Sequence, residues 1–328
     1  MKRTVAFEKN ARNIFFHVLT NCNLSCRHCY INPAQHGKGM VSLATAKKWM
    51  AELSGKTGES NLILLGGEPT LHPDLPEIAR AAKEMGYASV TVDTNGFLFH
   101  DFLDRVTPSD AEVISFSIDG PTAAKNDLLR GPGSFEACVS GIRRAKERGF
   151  SVSVITTVTG DTIDDLALMP PLLAGLGVNR FFIQVIGLRG RGTTAVQARR
   201  DRWKAVVPKV AQNAASLGLT VIHPKVYLDS DEPFACAGRE AENYFVFPNG
   251  RVYRCPLCED FPLHAYSIRS GRLRKRPGIT EDRFFSLDIP EGCVINRLIQ
   301  PGNTACDEKG GPLFKVACCM LKEETTPD

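Results

Sequence analysis

The sequence predicts an α/β fold: a partial (β/α)6 barrel of the TIM type, followed by a small cysteine-rich domain. Three observations predict it. Between residues 14 and 186, six short apolar runs alternate with stretches of helical periodicity, the pattern of parallel βα units. Six units are too few for a closed eight-fold barrel, so an open one follows, with its functional residues at the strand C-termini. From Cys236 onward periodicity fades, Pro and Gly are frequent and cysteines are dense, which suits a domain stapled by metal rather than a large core. The expected division is an N-terminal extension over residues 1–13, the barrel over 14–230 and the cysteine-rich, cluster-stapled domain over 231–328.

Strands are expected at residues 14–19, 62–65, 89–93, 113–118, 151–158 and 181–186. Helices are expected at 42–53, with Ser42 at its start, and at 74–85, 101–106, 134–148 and 163–173. Gly86, Gly149 and Gly177 stand just past helix ends, where a C-cap favours glycine. After a Gly/Arg-rich loop at 187–194 come a helix over 197–217 and a short strand over 219–223. Residues 245–247 and 251–253, joined by Pro248-Asn249-Gly250, read as a hairpin.

The 328 residues include 40 basic and 36 acidic ones, a net charge of +4. That surplus is too weak to point to nucleic acid. The longest apolar runs are far too short to span a bilayer. The basic N-terminus lacks the apolar core of a signal peptide. A cytoplasmic protein, with neither nucleic acid nor a membrane as partner, is the expectation.

Eleven cysteines are many for such a compartment. Where disulfides are disfavoured, metal ligation or catalysis is the better reading. Cys22, Cys26 and Cys29 form one group; Cys236, Cys255, Cys258, Cys293, Cys306, Cys318 and Cys319 form another; Cys138 stands alone between them. Cys22-x3-Cys26-x2-Cys29 directly follows the first strand, where a loop can fold three thiolates around one metal site. Thiolates are the usual ligands of iron–sulfur clusters. Three ligands for a four-iron cube leave one iron open, and an open position is a catalytic feature. A structural zinc site is the alternative, with His28 as its fourth ligand, although its place between Arg27 and Cys29 makes joint ligation awkward.

A strand, then Cys-x3-Cys-x2-Cys, then a strand ending in Gly66-Gly67-Glu68-Pro69 resembles the radical SAM superfamily over residues 14–190. The resemblance implies a [4Fe-4S] cluster on Cys22, Cys26 and Cys29, with the methionine end of S-adenosylmethionine (SAM) on the open iron. It implies that Glu68 accepts from the SAM ammonium, that Gly66 and Gly67 let backbone approach the ligand, and that Pro69 completes the SAM-binding turn. His28 would pack on adenine, and Asn95 would line the same cavity. Ser117 and Asp119, alternating on one strand face, would approach the ribose and carboxylate. Gln184 lies where the family contacts adenine. Ser117 and Asp119 read otherwise as ordinary strand-end polar groups. Asp127-x2-Arg130-Gly131 resembles a stretch common in radical SAM proteins with accessory-cluster domains, and reads equally as a helix-start loop with a surface ion pair.

Cys236-x13-Gly250-x4-Cys255 resembles the opening of a SPASM or Twitch domain, the accessory iron–sulfur module of many radical SAM maturases. With Cys255-x2-Cys258, a zinc ribbon is the alternative. The continuation, Cys293-x12-Cys306-x11-Cys318-Cys319, departs from the full SPASM pattern. One auxiliary [4Fe-4S] cluster is therefore the expectation, with a second left open. Its ligands would be Cys236, Cys255, Cys258 and a fourth among Cys293, Cys306, Cys318 and Cys319, with Cys318 expected in that place.

The implied activity is reductive cleavage of SAM to a 5′-deoxyadenosyl radical that takes hydrogen from the substrate, most naturally in oxidative maturation of a peptide or protein. A small-molecule dehydrogenase, or a cofactor- or porphyrin-building enzyme, is the alternative. A non-catalytic iron–sulfur electron carrier is a remote one, against which the Gly-Gly-Glu-Pro turn speaks. A reductant such as flavodoxin or ferredoxin is implied. With the motif beginning at residue 22, no fused leader-binding domain is expected, so a peptide substrate would use a separate recognition protein or none. The basic stretches 189–202 and 269–276 read as solvated surface, or as binding an acidic peptide or carboxylate. His72, His223 and His264 read as structural or solvent-facing.

Overall fold

Fifteen strands are found in chain order among the described residues: β1 (Lys2–Val5), β2 (Arg12–Leu19), β3 (Ser60–Gly66), β4 (Ser89–Thr94), β5 (Val113–Ser117), β6 (Ser151–Val158), β7 (Arg180–Val185), β8 (Thr220–Pro224), β9 (Tyr227–Leu228), β10 (Glu242–Val246), β11 (Arg251–Tyr253), β12 (Tyr266–Arg269), β13 (Arg272–Lys275), β14 (Lys315–Val316) and β15 (Lys322–Thr325). The structure is a computed structural model that describes residues 1–7, 12–55 and 58–327. Residues 8–11 of the expected N-terminal extension and Asp328 of the expected tail domain lie outside the described residues. One sheet runs in the order β1-β15-β8-β7-β6-β5-β4-β3-β2-β10-β11-β12-β13. From β2 to β8 every neighbouring pair is parallel. No helix among the described residues is long and apolar enough to cross a membrane.

The period of two along each strand builds both layers. Ile14, Phe16, Leu62, Leu64, Val90, Val92, Ile114 and Phe116 are fully buried on the face covered by helices. Each such side chain contributes roughly 1.5–3 kcal/mol. The alternate positions, facing the lumen, carry His17, Asp93, Ser115, Ser117 and Gln184. Ser42 caps helix Leu43–Leu53 by accepting from the Thr45 N–H, as its sequence position suggests.

The expected six units are present, and the parallel run is one strand longer, because β8 follows helix Arg200–Ser216 and pairs with β7. The expected helix over 163–173 begins as a 3₁₀ turn, Ile163–Leu168, and becomes α-helical only at Met169–Gly175. Pro170 and Pro171 stand at that start, where their missing N–H groups are not needed. The Asp127–Gly131 stretch ends a helix, Ala123–Arg130, capped by Thr122, and Asp127 then reaches on to accept from the Gly133 and Phe135 N–H groups.

The tail extends the sheet at both flanks of the open barrel. β10 lies parallel beside β2 and turns through the expected hairpin into β11. β15 lies antiparallel beside β8 and takes β1 on its far side. The sheet thus continues across both expected domain boundaries.

The loop leaving β2 crosses directly over the end of β3. The Gly67 N–H donates to the Leu19 carbonyl and the Glu68 N–H to the Asn21 carbonyl, both at 3.0 Å. A Cβ at Gly66 would stand 2.2 Å from the Leu19 oxygen, and one at Gly67 2.1 Å from the Asn21 oxygen. The neighbour that demands glycine here is the protein's own cysteine loop. Gly67→Ala is therefore expected to keep the wild-type far-UV circular dichroism while anaerobic iron uptake falls several-fold. Unchanged uptake would show that the loop tolerates the displacement.

Candidate active site

Cys22, Cys26 and Cys29 stand on the loop at the C-terminal end of β2, all three free of disulfides. The Arg27 N–H donates to the Leu129 carbonyl at 2.9 Å, and the Cys29 carbonyl accepts from the Arg191 N–H at 2.8 Å. The Cys22 sulfur accepts from the Leu24 N–H at 3.3 Å, and Asn95 Nδ2 lies 3.7 Å from it. Burial pushes the Cys22 thiol up to about 11 against the pull of the Leu24 N–H, and the negative neighbours Glu68, Cys26 and Cys29 add to the rise. Burial raises Cys26 as well. Thiols so placed give up their protons to a metal, and N–H donors aimed at ligand sulfur suit an iron–sulfur cluster. Among the described residues no three His, Cys, Asp or Glu side chains gather tightly enough for one metal ion; a four-iron cube instead meets its thiolates one iron at a time.

Glu68 ties the turn after β3 to the end of β4. Its Oε1 accepts from the Thr70 N–H (3.1 Å), the Thr70 hydroxyl (2.6 Å) and the Thr94 hydroxyl (2.8 Å). Its Oε2 accepts from the Asn95 N–H at 2.7 Å. Burial raises its pKa against these donors. Pro69 begins the 3₁₀ turn that Glu68 caps. The Asn95 side chain donates to Asn23 Oδ1 at 2.8 Å, tying β4 to the cysteine loop.

Asp119 holds His28 and Arg130 together: its Oδ2 lies 3.0 Å from His28 Nε2 and 2.6 Å from Arg130 Nε. Its Oδ1 accepts from the Thr157 N–H at 2.7 Å. Burial opposes ionisation of Asp119, but the Arg130 guanidinium, His28 and the Thr157 N–H outweigh it and hold the carboxyl well below the usual carboxylate range. The surface ion pair expected within Asp127-x2-Arg130 does not form: Arg130 pairs with buried Asp119, and Asp127 accepts from the Gly133 and Phe135 N–H groups instead. Ser117 ends β5, its carbonyl 3.3 Å from the Cys138 sulfur. Gln184 pairs in register with Thr157.

In the tail, the Ala237 N–H donates to the Cys318 sulfur at 3.5 Å, and the Cys236 thiol interacts with Cys318 as Cys255 does with Cys258 and Cys319. Cys236, Cys255, Cys293, Cys318 and Cys319 line one small pocket walled by Phe285, Ile295 and Met320. Cys258 is buried in the adjoining apolar cluster. Cys306 is exposed and bridges to Pro312, which sets it apart from the other three candidates for the fourth position. Glu281, which nothing local in the sequence marks, is fully buried and accepts from the N–H groups of Arg254 (2.7 Å), Cys255 (2.9 Å) and Ala265 (3.0 Å). Burial pushes its carboxyl up to about 8.

Two readings of the basic stretches separate here. Residues 269–276 hold the exposed β12–β13 turn, with Arg272 paired to Glu52 and Lys275 to Asp282. Arg189, read as solvated, is buried in an ion pair with Glu259. His72 is structural, its Nε2 donating to the Val41 carbonyl at 2.6 Å.

Residues 17–169 match the sequence profile of the Radical SAM superfamily. An "AdoMet-dependent heme synthase" of Methanosarcina barkeri is 29% identical over 190 residues, 57% of this chain and 54% of that protein. The chain thus spans about half the length of that relative. A "Mycofactocin maturase MftC" of Mycobacterium tuberculosis is 27% identical over 270 residues, 77% of this chain and 65% of that protein. The crystal structure of Streptococcus suis SuiB bound to precursor peptide SuiA has a TM-score of 0.63 at 14% identity, covering 90% of this chain and 66% of that one. That likeness concerns the fold and takes in the cysteine-rich tail.

Removing Asp119 would leave Arg130 buried without its counter-charge. Asp119→Asn is expected to cost roughly 3–5 kcal/mol, the usual effect of breaking a buried pair, measured by denaturant unfolding. Asp119→Asn/Arg130→Met should recover much of that loss. A cost below about 1 kcal/mol, typical of exposed pairs, would show that water reaches the pair.

Proposed function

We propose, on the premise that residues 17–169 belong to the radical SAM superfamily, that this chain is an enzyme that cleaves SAM reductively and oxidises a peptide or protein substrate. The observation that carries the reading is the Gly66–Pro69 turn hydrogen-bonded to Leu19 and Asn21, the backbone that leads directly into Cys22. When bound, the cluster would supply one electron to SAM, splitting it into methionine and a 5′-deoxyadenosyl radical able to take hydrogen from a substrate carbon.

Cys22, Cys26 and Cys29 would hold three irons. Glu68 Oε2 accepts one hydrogen bond where Oε1 accepts three, so Oε2 has capacity left for the SAM ammonium. Asp119 fixes the ring of His28, and a ring held at one nitrogen presents a constant face for adenine. Asn95, Ser117 and Gln184 supply polar groups at the ends of β4, β5 and β7. In the tail, one auxiliary cluster is proposed on Cys236, Cys255, Cys258 and Cys318; Cys236, Cys255 and Cys318 line the pocket and Cys258 adjoins it.

The peptide reading is supported by how far the resemblances reach. The match to the maturase covers 77% of this chain, against 57% for the heme synthase, and so extends beyond the barrel. The heme synthase likeness favours a second reading, in which the substrate is a small molecule. A reductant of the flavodoxin or ferredoxin kind would supply electrons.

Dithionite-reduced protein is expected to convert SAM to 5′-deoxyadenosine, measured by mass spectrometry; iron-loaded protein that releases none would overturn the reading. Glu68→Gln should keep its iron and bind SAM roughly tenfold or more weakly, since a hydrogen bond to a charged group contributes about 1.5–3 kcal/mol. Unaltered affinity would take Glu68 out of the SAM site. Cys22→Ala/Cys26→Ala/Cys29→Ala should retain a smaller set of iron and sulfide, and complete loss would remove the auxiliary cluster.

A further inference from the structure

The loop after β7 runs between the two cysteine-bearing regions and is fastened to both. On the barrel side, the Arg191 N–H donates to the Cys29 carbonyl, and Gly190 packs so closely that a Cβ would stand 2.5 Å from that same oxygen. On the tail side, the Gly190 N–H donates to Asp260 Oδ2 at 2.7 Å. The Arg189 guanidinium donates to the Pro256 carbonyl and to Glu259 Oε2. Pro256 and Glu259 flank Cys258 and follow Cys255. Arg189 is 9% exposed and Glu259 1%. The guanidinium also lies 5.0 Å over the Tyr30 ring, and the Tyr30 hydroxyl donates to His17 Nε2 at 2.7 Å. Arg189 interacts electrostatically with Cys255 and Cys319.

We propose that Arg189 and Glu259 are positioning residues for the auxiliary cluster: their buried ion pair sets its reduction potential and holds its loop in register with Cys29. This rests on the reading that the tail holds a cluster. Reduction adds negative charge to the cluster. A fixed cation nearby favours the reduced form and a fixed anion the oxidised form, and burial strengthens both effects. Neither residue is a ligand, so each acts through charge and placement. Glu281 at the Cys255 N–H, Lys322 at the Cys319 carbonyl (3.1 Å) and Arg254 also face this region. All three stay unchanged in the variants, so differences report on the pair alone.

The test is a potentiometric titration, followed by electron paramagnetic resonance, of anaerobically reconstituted protein in the Cys22→Ala/Cys26→Ala/Cys29→Ala background, where only the tail cluster contributes. Arg189→Met should lower the midpoint potential and Glu259→Gln should raise it. Arg189→Lys should stay near the parent, and Arg189→Met/Glu259→Gln should return toward it. A general packing defect would move both single variants the same way. Shifts of one sign, or no shift in either, would overturn the proposal. Should Arg189→Met fail to take up iron, Glu259→Gln and the double variant make the same comparison, and a midpoint that does not rise in Glu259→Gln overturns it. A parent that holds no iron would overturn the reading of the tail, and this inference with it.

Discussion

A parallel run that stops short of a closed barrel leaves an edge strand on each side of a gap, with unpaired backbone groups and a lumen open to water. In this protein β10 pairs the β2 edge and β15 pairs the β8 edge, and both come from the C-terminal region. The tail thiols lie where these flanks meet. Cys236 and Cys255 bracket β10 and β11, whereas Cys318 and Cys319 lead into β15. Their contacts run from one flank to the other. A group ligated by both would tie the two flanks together, so binding it and docking the tail would share one equilibrium.

Docking the tail also means burying polar groups of the lumen, and the protein does this mostly with neutral ones. Burial, with help from nearby His36, pushes His17 down to about 3. Burial lifts Asp93 to about 7 against a hydrogen bond from Ser115. Such groups lose little by staying uncharged. Two buried ion pairs stand apart from this pattern, Asp119–Arg130 and Arg189–Glu259. Each adjoins a cysteine loop: the Arg130 carbonyl lies 3.7 Å from the Cys26 sulfur, and Arg189 spans Tyr30 and Pro256. Buried ion pairs seldom add net stability over apolar replacements. Their places here fit a need for fixed orientation at the two cysteine loops.

What the sequence reveals follows from how local each signal is. The six βα units, the Ser42 cap, the Phe247–Gly250 turn and the cysteine motif are all carried by neighbouring residues, and all are found where the pattern puts them. Gly66 and Gly67 are legible as a motif, but the reason for them, the passage of Leu19–Asn21 overhead, needs the register of β2 on β3. Arg189 is indistinguishable from a solvated arginine by composition, since its partner Glu259 lies 70 residues further on. Asp119 and Arg130 are near each other in the chain, yet their pairing depends on how helix Ala123–Arg130 folds back. The pairing of β1 with β15 joins Lys2 to Thr325, a contact to which no periodicity points.

The tail's part in the lumen goes beyond thiols. Lys322 stands on β15, three residues after Cys319, and its ammonium lies 4.8 Å over the ring of Phe182, a lumen-facing residue of β7. Burial depresses its pKa, with Cys319 and Cys318 pulling the other way. Its stem needs the apolar wall and its head needs the Cys319 carbonyl, so it is fixed only while β15 is docked on β8. The same docking brings Cys318 and Cys319 to Cys236 and Cys255. A cation on the lumen wall and the thiols of the tail are therefore placed by one strand pairing. A change that undocks β15 would disturb the lumen's charge and the thiol pocket together, even though neither lies on the barrel's own strands.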